Sequence, residues 1–332
     1  MTYQQVLENA RTCIGPYCKA CNDCNGKVCR NTMPGPGAKG EGTGFIRNAE
    51  KWREICVNMD TICENAPVDT SYTLFGRTFE IPAFAAPIGA MRLHYGDKYD
   101  DLAYNDILIR ACANAGILAF TGDGTDPKVV EGAAKALKAQ HGCGVPTIKP
   151  WDMDTIREKF ALVKAAEPFA IAMDIDAAGL PFLQGLTPPA GSKSVEELRQ
   201  IVSWAERPFI LKGIMTARGA EKALEAGASG IVVSNHGPAT AEVLPEIVDA
   251  VGGKMTIFVD GAIRSGMDIF KALALGADAV LIGRPFVTSV YGGGEEGVKL
   301  YVSKLKAELA DTMRMCGAHS LAEIDRSMIY RG

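Results

Sequence analysis

The strongest constraint on the fold is an alternation of short apolar runs and helix-like stretches over residues 207–287. Four runs, each about as long as a β-strand, end in glycine or polar residues; they cover residues 209–211, 230–234, 256–259 and 279–282. In parallel barrel enzymes the functional groups lie at the carboxyl ends of the strands. The pattern therefore predicts such a barrel, with its chemistry at these strand ends.

The same period extends over most of the chain. Predicted strands cover residues 81–86, 117–121, 145–149, 169–174, 208–212, 229–234, 255–260 and 278–282, and predicted helices cover 101–115, 126–139, 152–166, 194–205, 216–226, 240–251, 266–275 and 294–315. Because each parallel strand pair needs a crossover helix, eight such units predict an α/β fold, the (β/α)8 TIM barrel. An open doubly wound sheet is disfavoured, since no Gly-x-Gly-x-x-Gly follows any strand. Three further elements are predicted ahead of the barrel: a short helix over 1–12, a helix over 45–57, and a hairpin over 72–80 that closes the barrel bottom.

Composition and charge exclude several functional classes. Of the 332 residues 47% are hydrophobic, but no apolar run approaches the ~20 residues that a membrane-spanning helix needs. The net charge is −4 with no basic block, which argues against a nucleic-acid partner. The first residues lack the apolar segment of a secretory signal. We therefore expect a cytoplasmic protein that acts on a small-molecule substrate, with no membrane or nucleic-acid partner.

Five of the ten cysteines are crowded near the N-terminus: Cys13, Cys18, Cys21, Cys24 and Cys29. A central Cys-x2-Cys-x2-Cys with one more cysteine on each side lets consecutive thiolates converge on one ion or cluster. Four of the five would ligate zinc or an iron–sulfur cluster, and the spacing does not choose between them. Free thiols on a flexible arm are the alternative. Because residues 33–44 form a Pro/Gly-rich loop, we expect a cysteine-rich arm over 1–44 and a barrel over 45–332.

Glycines and arginines cluster after the last two predicted strands. Asp260, Gly261 and Arg264 follow the seventh strand, and Gly283 and Arg284 follow the eighth. Backbone N–H groups, guanidinium groups and the N-terminus of the adjoining helix form an anion cradle where barrels commonly bind phosphate. Either arginine alone would suggest only a surface ion pair, but the combination predicts the phosphate of a bound cofactor.

His236 lies in a turn directly after the sixth predicted strand. Asp174, at the end of the fourth strand, could orient its ring and stabilise the imidazolium, as a histidine base requires. Lys212 ends the fifth strand between them in chain order. The combination predicts catalysis by His236, with a structural histidine as the alternative.

Two long segments carry a family resemblance: ILKGIMTARGAEKALEAGASGIVVSNHG and VDGAIRSGMDIFKALALGADAVLIGRPF. Both closely resemble the FMN-dependent α-hydroxy-acid oxidase/dehydrogenase family, which includes glycolate oxidase, lactate oxidase, flavin lactate dehydrogenase and mandelate dehydrogenase. The likeness covers about residues 45–330 and leaves the cysteine arm outside. It implies FMN at the barrel mouth, hydride transfer from a hydroxyl-bearing carbon to the flavin, and a homo-oligomer that is a tetramer or larger.

The resemblance also implies roles for particular residues. His236 would take the proton of the substrate hydroxyl, Asp174 would be its partner carboxylate, and Lys212 would stabilise the negative charge of reduced flavin. Residues at the strand ends would bind the cofactor: Pro87, Ile88, Gly89, Ala90, Thr121, Thr147, Lys212, Ser234, His236, Asp260, Gly261, Arg264, Gly283 and Arg284.

The chain departs from the family where the substrate binds. Ala239 stands where the family has an arginine that clamps the substrate carboxylate. A second family arginine follows the aspartate of the fourth strand, and this chain has Ala177, Ala178 and Gly179 there instead. Because alanine cannot replace a bidentate guanidinium, we expect a substrate other than a simple 2-hydroxy acid. Three residues could supply a new cation at the rim: Lys149, Arg92 and His94.

Three functions follow from these observations. The first is an FMN oxidoreductase, which would pass electrons to a carrier if the arm holds an iron–sulfur cluster. The second is a flavin-dependent isomerase of the type 2 isopentenyl diphosphate isomerase kind, which the Ser-Asn-His-Gly turn disfavours. The third is a non-catalytic flavin-binding redox protein. The presence of His236, Asp174 and Lys212 favours the first, since a protein that only holds flavin needs no base.

Overall fold

The computed structural model describes residues 1–30, 32, 43–179, 185–235 and 239–331. His236, within the predicted catalytic turn, lies outside this described part. The strands are β1 (Ile55–Val57), β2 (Tyr72–Leu74), β3 (Arg77–Phe79), β4 (Ala83–Ala85), β5 (Phe120–Thr121), β6 (Val145–Ile148), β7 (Ile171–Asp174), β8 (Phe209–Ile214), β9 (Gly230–Val233), β10 (Thr256–Val259), β11 (Ala279–Ile282) and β12 (Ile329–Arg331).

The helices alternate with the barrel strands from β4 onward, as the sequence predicts. They are α1 (Tyr3–Arg11), α2 (Gly44–Glu54), α3 (Met91–Tyr95), α4 (Asp101–Asn114), α5 (Pro127–Ala139), α6 (Met153–Lys164), α7 (Val195–Ala205), α8 (Ala217–Glu225), α9 (Thr240–Val251), α10 (Gly266–Ala274) and α11 (Arg284–Met315). Side chains at several N-caps fix where these helices begin. Asp100, for example, accepts a hydrogen bond from the N–H of Ala103 at the start of α4.

Strands β4 to β11 form one parallel sheet in the order β4-β11-β10-β9-β8-β7-β6-β5. A parallel bridge between Ala85 and Ala119 joins the two ends of that order, and the N–H of Ala85 donates to the carbonyl of Leu118 at 3.0 Å. The sheet therefore closes on itself. This confirms the predicted (β/α)8 TIM barrel.

The barrel core contains large aromatic rings that the strands bring inward. Phe84 of β4 and Phe120 of β5 each lie close to Phe258 of β10, with ring centroids 6.3 and 6.1 Å apart. The β2–β3 hairpin adds Phe79, whose ring meets Phe84 edge-on at 5.2 Å. The hairpin thus packs against the core as predicted, and such aromatic pairs stabilise it beyond their buried area.

The largest difference from the predicted elements concerns the last helix. It was expected to begin at residue 294, but α11 begins at Arg284 and includes a non-helical Gly294 with φ 55° and ψ −137°. Two helical segments therefore meet at a kink there. The glycine-rich run over residues 292–294 has low helix propensity. For that reason the sequence did not predict the helical segment that precedes it.

Helix α1 of the N-terminal arm packs against α11 of the barrel. A capping box between Thr2 and Gln5 starts the helix, and Val6, Leu7 and Ala10 are its buried side. A Cβ atom on Gly292 would lie 1.9 Å from the carbonyl oxygen of Val6. Only glycine therefore permits this approach.

The division into an arm over 1–44 and a barrel over 45–332 stays a prediction.

Within the described residues, no helix combines the length and the apolar character needed to cross a bilayer.

Candidate active site

The residues predicted to bind a phosphate lie together at the carboxyl ends of β10 and β11. Gly261 follows β10 with φ 92°, and Arg284 opens helix α11 directly after β11. The Nη1 atom of Arg284 is buried and has no hydrogen-bond partner among the described residues. A buried guanidinium N–H without a partner at a helix N-terminus suits an anion. These residues therefore fit a cofactor phosphate.

Helix α2 holds both arginines of the cradle in place through Phe45. The guanidinium carbon of Arg284 lies 3.8 Å from the centroid of the Phe45 ring, and that of Arg264 lies 5.3 Å from it. Cations over an aromatic face are attracted by the ring quadrupole. The sequence offered no sign that Phe45 would meet residues more than two hundred positions away.

The ends of β5 and β6 present two hydroxyl groups without partners. The Oγ1 atoms of Thr121 and Thr147 are buried, and neither has a hydrogen-bond partner in the described part of the chain. Beside them, a Cβ atom on Gly122 would lie 2.7 Å from the N atom of Gly89. The loop after β4 therefore lies directly against the end of β5. The orphaned hydroxyls fit the polar edge of a flavin, as predicted for both threonines.

Asp174 lies between two lysines at the mouth of the barrel. The Nζ atom of Lys212 is 2.8 Å from Oδ1 of Asp174, and the Nζ atom of Lys149 is 3.8 Å from Oδ2. Burial raises the pKa of Asp174, but the charges of Lys212 and Lys149 outweigh it and hold that pKa well below its usual range. Burial lowers the pKa of Lys212, but Asp174 outweighs it and raises that pKa. The lysine is therefore cationic at the mouth.

Ser234 and Asp260 directly follow strands β9 and β10. The hydroxyl of Ser234 donates to Oδ2 of Asp260 at 2.9 Å. Burial raises the pKa of Asp260, while the Lys212 charge and the Ser234 hydrogen bond oppose that rise. The sequence placed both residues at the cofactor, and the structure brings them to the same mouth as Lys212.

A buried asparagine connects helix α2 to both sides of the predicted catalytic turn. The Nδ2 of Asn48 donates to Oδ1 of Asn235 at 2.8 Å, and the N–H of Thr240 donates to Oδ1 of Asn48 at 2.9 Å. In chain order, residues 236–239 lie between these anchors. Sequence reasoning missed Asn48, although a polar residue on the buried side of α2 beside Phe45, Ala49 and Trp52 could have signalled it.

The three substrate cations predicted from the sequence do not come together. Lys149 reaches Asp174, but Arg92 is 66% exposed and pairs with Asp100 at the N-cap of α4. His94 is partly buried, its Nδ1 has no partner in the described region, and burial lowers its pKa. Of these three residues, Lys149 is the one that lies beside Asp174 at the strand ends.

The carboxylate of Asp123 fixes the backbone next to Lys149. It accepts the N–H of Lys149 at 2.9 Å, the indole Nε1–H of Trp151 at 2.6 Å and the Nζ of Lys159 at 2.6 Å. A buried carboxylate with this many donors is stable and positions what it holds. Sequence reasoning assigned Asp123 no role.

The cysteines of the arm lie against the phosphate cradle. Four of them border a cavity of about 340 Å³ that Arg264 and Arg284 also line: Cys18, Cys21, Cys24 and Cys29. Cys13 lies elsewhere, with its Sγ 3.5 Å from the carbonyl of Tyr291. In the described ranges the cysteines are free thiols, and no three His, Cys, Asp or Glu side chains are placed to hold a metal ion. The structure therefore gives no direct sign of the predicted metal.

The arginine pair affects the thiol nearest to it. Burial raises the pKa of Cys24, but the charges of Arg264 and Arg284 outweigh burial and lower that pKa. The Nε of Arg264 also donates to the carbonyl of Cys24 at 3.3 Å. The arm and the cradle thus share the same two cations.

Comparison with known proteins supports the family resemblance seen in the sequence. The FMN-dependent dehydrogenase family matches residues 35–184 and 187–331. A peroxisomal (S)-2-hydroxy-acid oxidase of Oryza sativa subsp. japonica is 31% identical over 336 residues, which cover 88% of this chain and 89% of the rice protein. Because that relative is named as peroxisomal, the cytoplasmic setting stays a prediction.

Solved structures share the whole barrel. The crystal structure of mandelate oxidase superposes with a TM-score of 0.76 at 25% sequence identity, covering 98% of this chain and 97% of that one. A flavocytochrome b2 variant with pyruvate bound superposes with a TM-score of 0.73 over 86% of this chain and 78% of that one. At 22% identity the second likeness shows the fold alone. The chain belongs to the FMN-dependent dehydrogenase family and is an FMN-dependent oxidoreductase of the kind that acts on CH–OH groups.

Proposed function

We propose that this chain oxidises a hydroxyl-bearing carbon, with His236 as the base. The observation that carries the proposal is the meeting of the Lys212–Asp174 pair with the unpaired hydroxyls of Thr121 and Thr147 at one barrel mouth. FMN, when bound there, supplies the acceptor for the hydride of the substrate C–H bond. The residues of the chain position the substrate and manage its proton and charge.

His236 accepts the hydroxyl proton in this proposal. A neutral imidazole near pH 7 is suited to that step. Support comes from Asn48, which binds Asn235 before the turn and Thr240 after it. Fixed residues on both sides of a base in the chain favour the defined position that efficient proton transfer needs.

Lys212 provides a fixed positive charge beside the reacting atoms. Its raised pKa keeps the ammonium protonated over the whole physiological range. A preorganised cation in a partly dry site stabilises negative charge more strongly than the same cation in water. Asp174 holds that ammonium at 2.8 Å and so fixes its position.

The substrate differs from a simple 2-hydroxy acid clamped by two arginines. Ala177 and Ala239 are fully buried, so neither position offers a cation to a carboxylate. Lys149 remains as the substrate-facing cation, and Asp174 already shares its charge at 3.8 Å. The proposal therefore favours a hydroxy compound whose recognition does not depend on a bidentate carboxylate contact.

Anaerobic mixing tests both the reaction and the substrate class. The holoprotein is combined with glycolate, lactate and mandelate, and separately with their neutral methyl esters, while flavin absorbance is recorded. We expect bleaching by hydroxy compounds, with esters at least as effective as the acids, and none in His236→Ala. Fast bleaching by simple acids at low KM would contradict the substrate assignment. Bleaching by none of a broad set of hydroxy compounds would contradict the proposed reaction.

The electron acceptor can be read from the same samples. After bleaching, the reduced protein is exposed either to oxygen or to a one-electron acceptor such as ferricyanide. Because an iron–sulfur cluster in the arm would let electrons leave to a carrier, we expect faster reoxidation by the one-electron acceptor. Preferred reoxidation by oxygen would identify an oxidase. Sedimentation of the same sample tests the expected homo-oligomer.

A further inference from the structure

The N-terminal arm places four cysteines around one cavity next to the barrel. Cys18, Cys21, Cys24 and Cys29 line a space of about 340 Å³, and Arg264 and Arg284 line it from the barrel side. The four cysteines precede the family match, which begins at residue 35. The proposed oxidation uses none of the four thiols. The cavity is therefore a candidate site in its own right.

Four of the five arm cysteines border the same cavity: Cys18, Cys21, Cys24 and Cys29. Cys18 is buried, and the other three are partly buried. Cys13 has other contacts, with Lys98 Nζ at 3.6 Å from its Sγ. The structure thus separates four of the five arm cysteines from the fifth.

The arrangement disfavours a single zinc ion. Zinc requires four ligand sulfurs at about 2.3 Å from one point. Among the described side chains no three potential ligands meet in that way. A polynuclear cluster instead occupies a volume, so its thiolates stand around a space. Four cysteines around a cavity fit the second case.

We propose that this cavity is an iron–sulfur cluster site with Cys18, Cys21, Cys24 and Cys29 as its ligands. The spacing Cys-x2-Cys-x2-Cys-x4-Cys is one residue longer in its last interval than the bacterial ferredoxin run. Bound thiolates bring negative charge into the cavity. Arg264, whose Nε donates to the Cys24 carbonyl at 3.3 Å, and Arg284 balance that charge from the barrel wall.

Shared arginines would couple the cluster to the cofactor. Arg284 faces both the cavity and the phosphate cradle, and Arg264 lies beside it over the Phe45 ring. Contacts beyond the direct ligands tune both affinity and electronic properties of metal centres. The site is defined by the arm's own residues, so it can exist whether or not the proposed oxidation is correct.

Metal analysis of the full chain tests the site. Protein purified without oxygen is assayed for iron, acid-labile sulfide, zinc and FMN. We expect iron and acid-labile sulfide in equal amounts, two of each per chain for a [2Fe–2S] cluster or four of each for a [4Fe–4S] cluster, since four cysteines ligate either kind. We also expect a broad absorbance that persists after the flavin is removed. Zinc without sulfide, or no metal in protein that still binds FMN, would overturn the cluster. FMN-free protein with intact iron and sulfide would instead count against the proposed function.

Matched variants identify the ligands. Cys21→Ser and Cys24→Ser should lose most of their iron, whereas Cys13→Ser and Cys56→Ser should keep it, since Cys13 lies outside the cavity and Cys56 is exposed. Equal iron in all four variants would overturn the assignment. If the first two do not fold, alkylation of the unmodified protein decides. The four cavity thiols should become reactive only after the cluster is removed, and equal reactivity of all arm cysteines beforehand would overturn the proposal.

Discussion

Asn48 and Asn235 are joined by a side-chain hydrogen bond of 2.8 Å although 187 residues separate them in the chain. The bond ties helix α2, which precedes the barrel, to the end of β9. Asn48 also accepts the N–H of Thr240 at 2.9 Å. One buried amide therefore bonds residues on both sides of His236 in the chain.

Replacing Asn48 with alanine should impair catalysis more than it impairs folding. The change leaves the N–H of Thr240 without its partner, which costs about 1–3 kcal/mol of unfolding free energy. We expect kcat/KM to fall by about tenfold or more, since small displacements of a catalytic group are costly. Asn58→Ala is the control, because its exposed side chain bonds Ser327 away from the mouth. Equal kcat/KM in the two variants, measured beside urea unfolding, would refute a positioning role.

The orphaned hydroxyls predict opposite effects on stability and on cofactor binding. Thr121→Val and Thr147→Val remove buried O–H groups that have no partner in the described protein. The FMN-free protein should be equally stable or more stable, because a buried unsatisfied group costs about 1–3 kcal/mol. The Kd for FMN should rise by about tenfold per hydroxyl, equivalent to about 1.4 kcal/mol. Thermal unfolding of apoprotein and fluorescence titration with FMN measure both.

Thr70→Val is the matched control for the threonine variants. Its hydroxyl donates to the carbonyl of Glu80 at 3.0 Å and is satisfied. That variant should lose about 1 kcal/mol of stability and keep its FMN affinity. A drop in apoprotein stability for Thr121→Val or Thr147→Val matching that of Thr70→Val would show that their hydroxyls are satisfied within the protein.

Replacing Asp174 with asparagine should destabilise the fold between pH 5 and pH 9. Removing one member of a buried ion pair deprives Lys212 of its hydrogen-bonded carboxylate and costs about 3 kcal/mol. The depressed pKa of Asp174 gives stability that is present above the unfolded value of about 3.9 and lost as pH falls further. The raised pKa of Lys212 gives stability that is present below about 10.4 and lost as pH rises through its folded value.

The difference in unfolding free energy between wild type and Asp174→Asn should thus stay constant from pH 5 to pH 9 and shrink below about pH 4. Urea unfolding at a series of pH values measures it. Asp249→Asn serves as control, because Asp249 pairs with Arg326 on an exposed surface where an ion pair contributes little. A difference that changed steeply between pH 6 and pH 8 would point to another titrating group.

The phosphate cradle predicts a distinction between FMN and riboflavin. Arg284→Met should raise the Kd for FMN by about 10- to 100-fold, as expected for loss of about 1.5–3 kcal/mol from a charged hydrogen bond. Riboflavin lacks the phosphate, so its Kd should be unchanged. Arg314→Met, on an exposed part of α11, should alter neither value. Equal weakening of both flavins by Arg284→Met would place the phosphate elsewhere.

The barrel was predictable because its signal is local and repeated. Each strand is an apolar run ended by a polar cluster, and the helices between them have their own periodicity. Strand β5 was predicted over 117–121 but spans only Phe120–Thr121. A short apolar run does not reveal how much of it finds a pairing partner.

The supporting residues were harder to foresee, because their partners are distant in sequence. Phe45 and Asn48 lie on the helix before the barrel, yet contact Arg284 and Asn235 near its other end. Nothing local in α2 specifies those partners. The charge state of Asp174 likewise depends on Lys149 and Lys212, which the parallel pairing of β6, β7 and β8 brings beside it.

Two of the three tryptophans donate hydrogen bonds to residues at the mouth of the barrel. The indole Nε1–H of Trp52 donates to the carbonyl of Gly261 at 2.8 Å, and that of Trp151 donates to Asp123 at 2.6 Å. Trp204 lies instead beneath Arg157 on the outer helices. Flavins absorb in the range of indole emission, so intrinsic fluorescence should dim as FMN enters and recover as it leaves. The chain thus carries its own optical reporter of cofactor exchange.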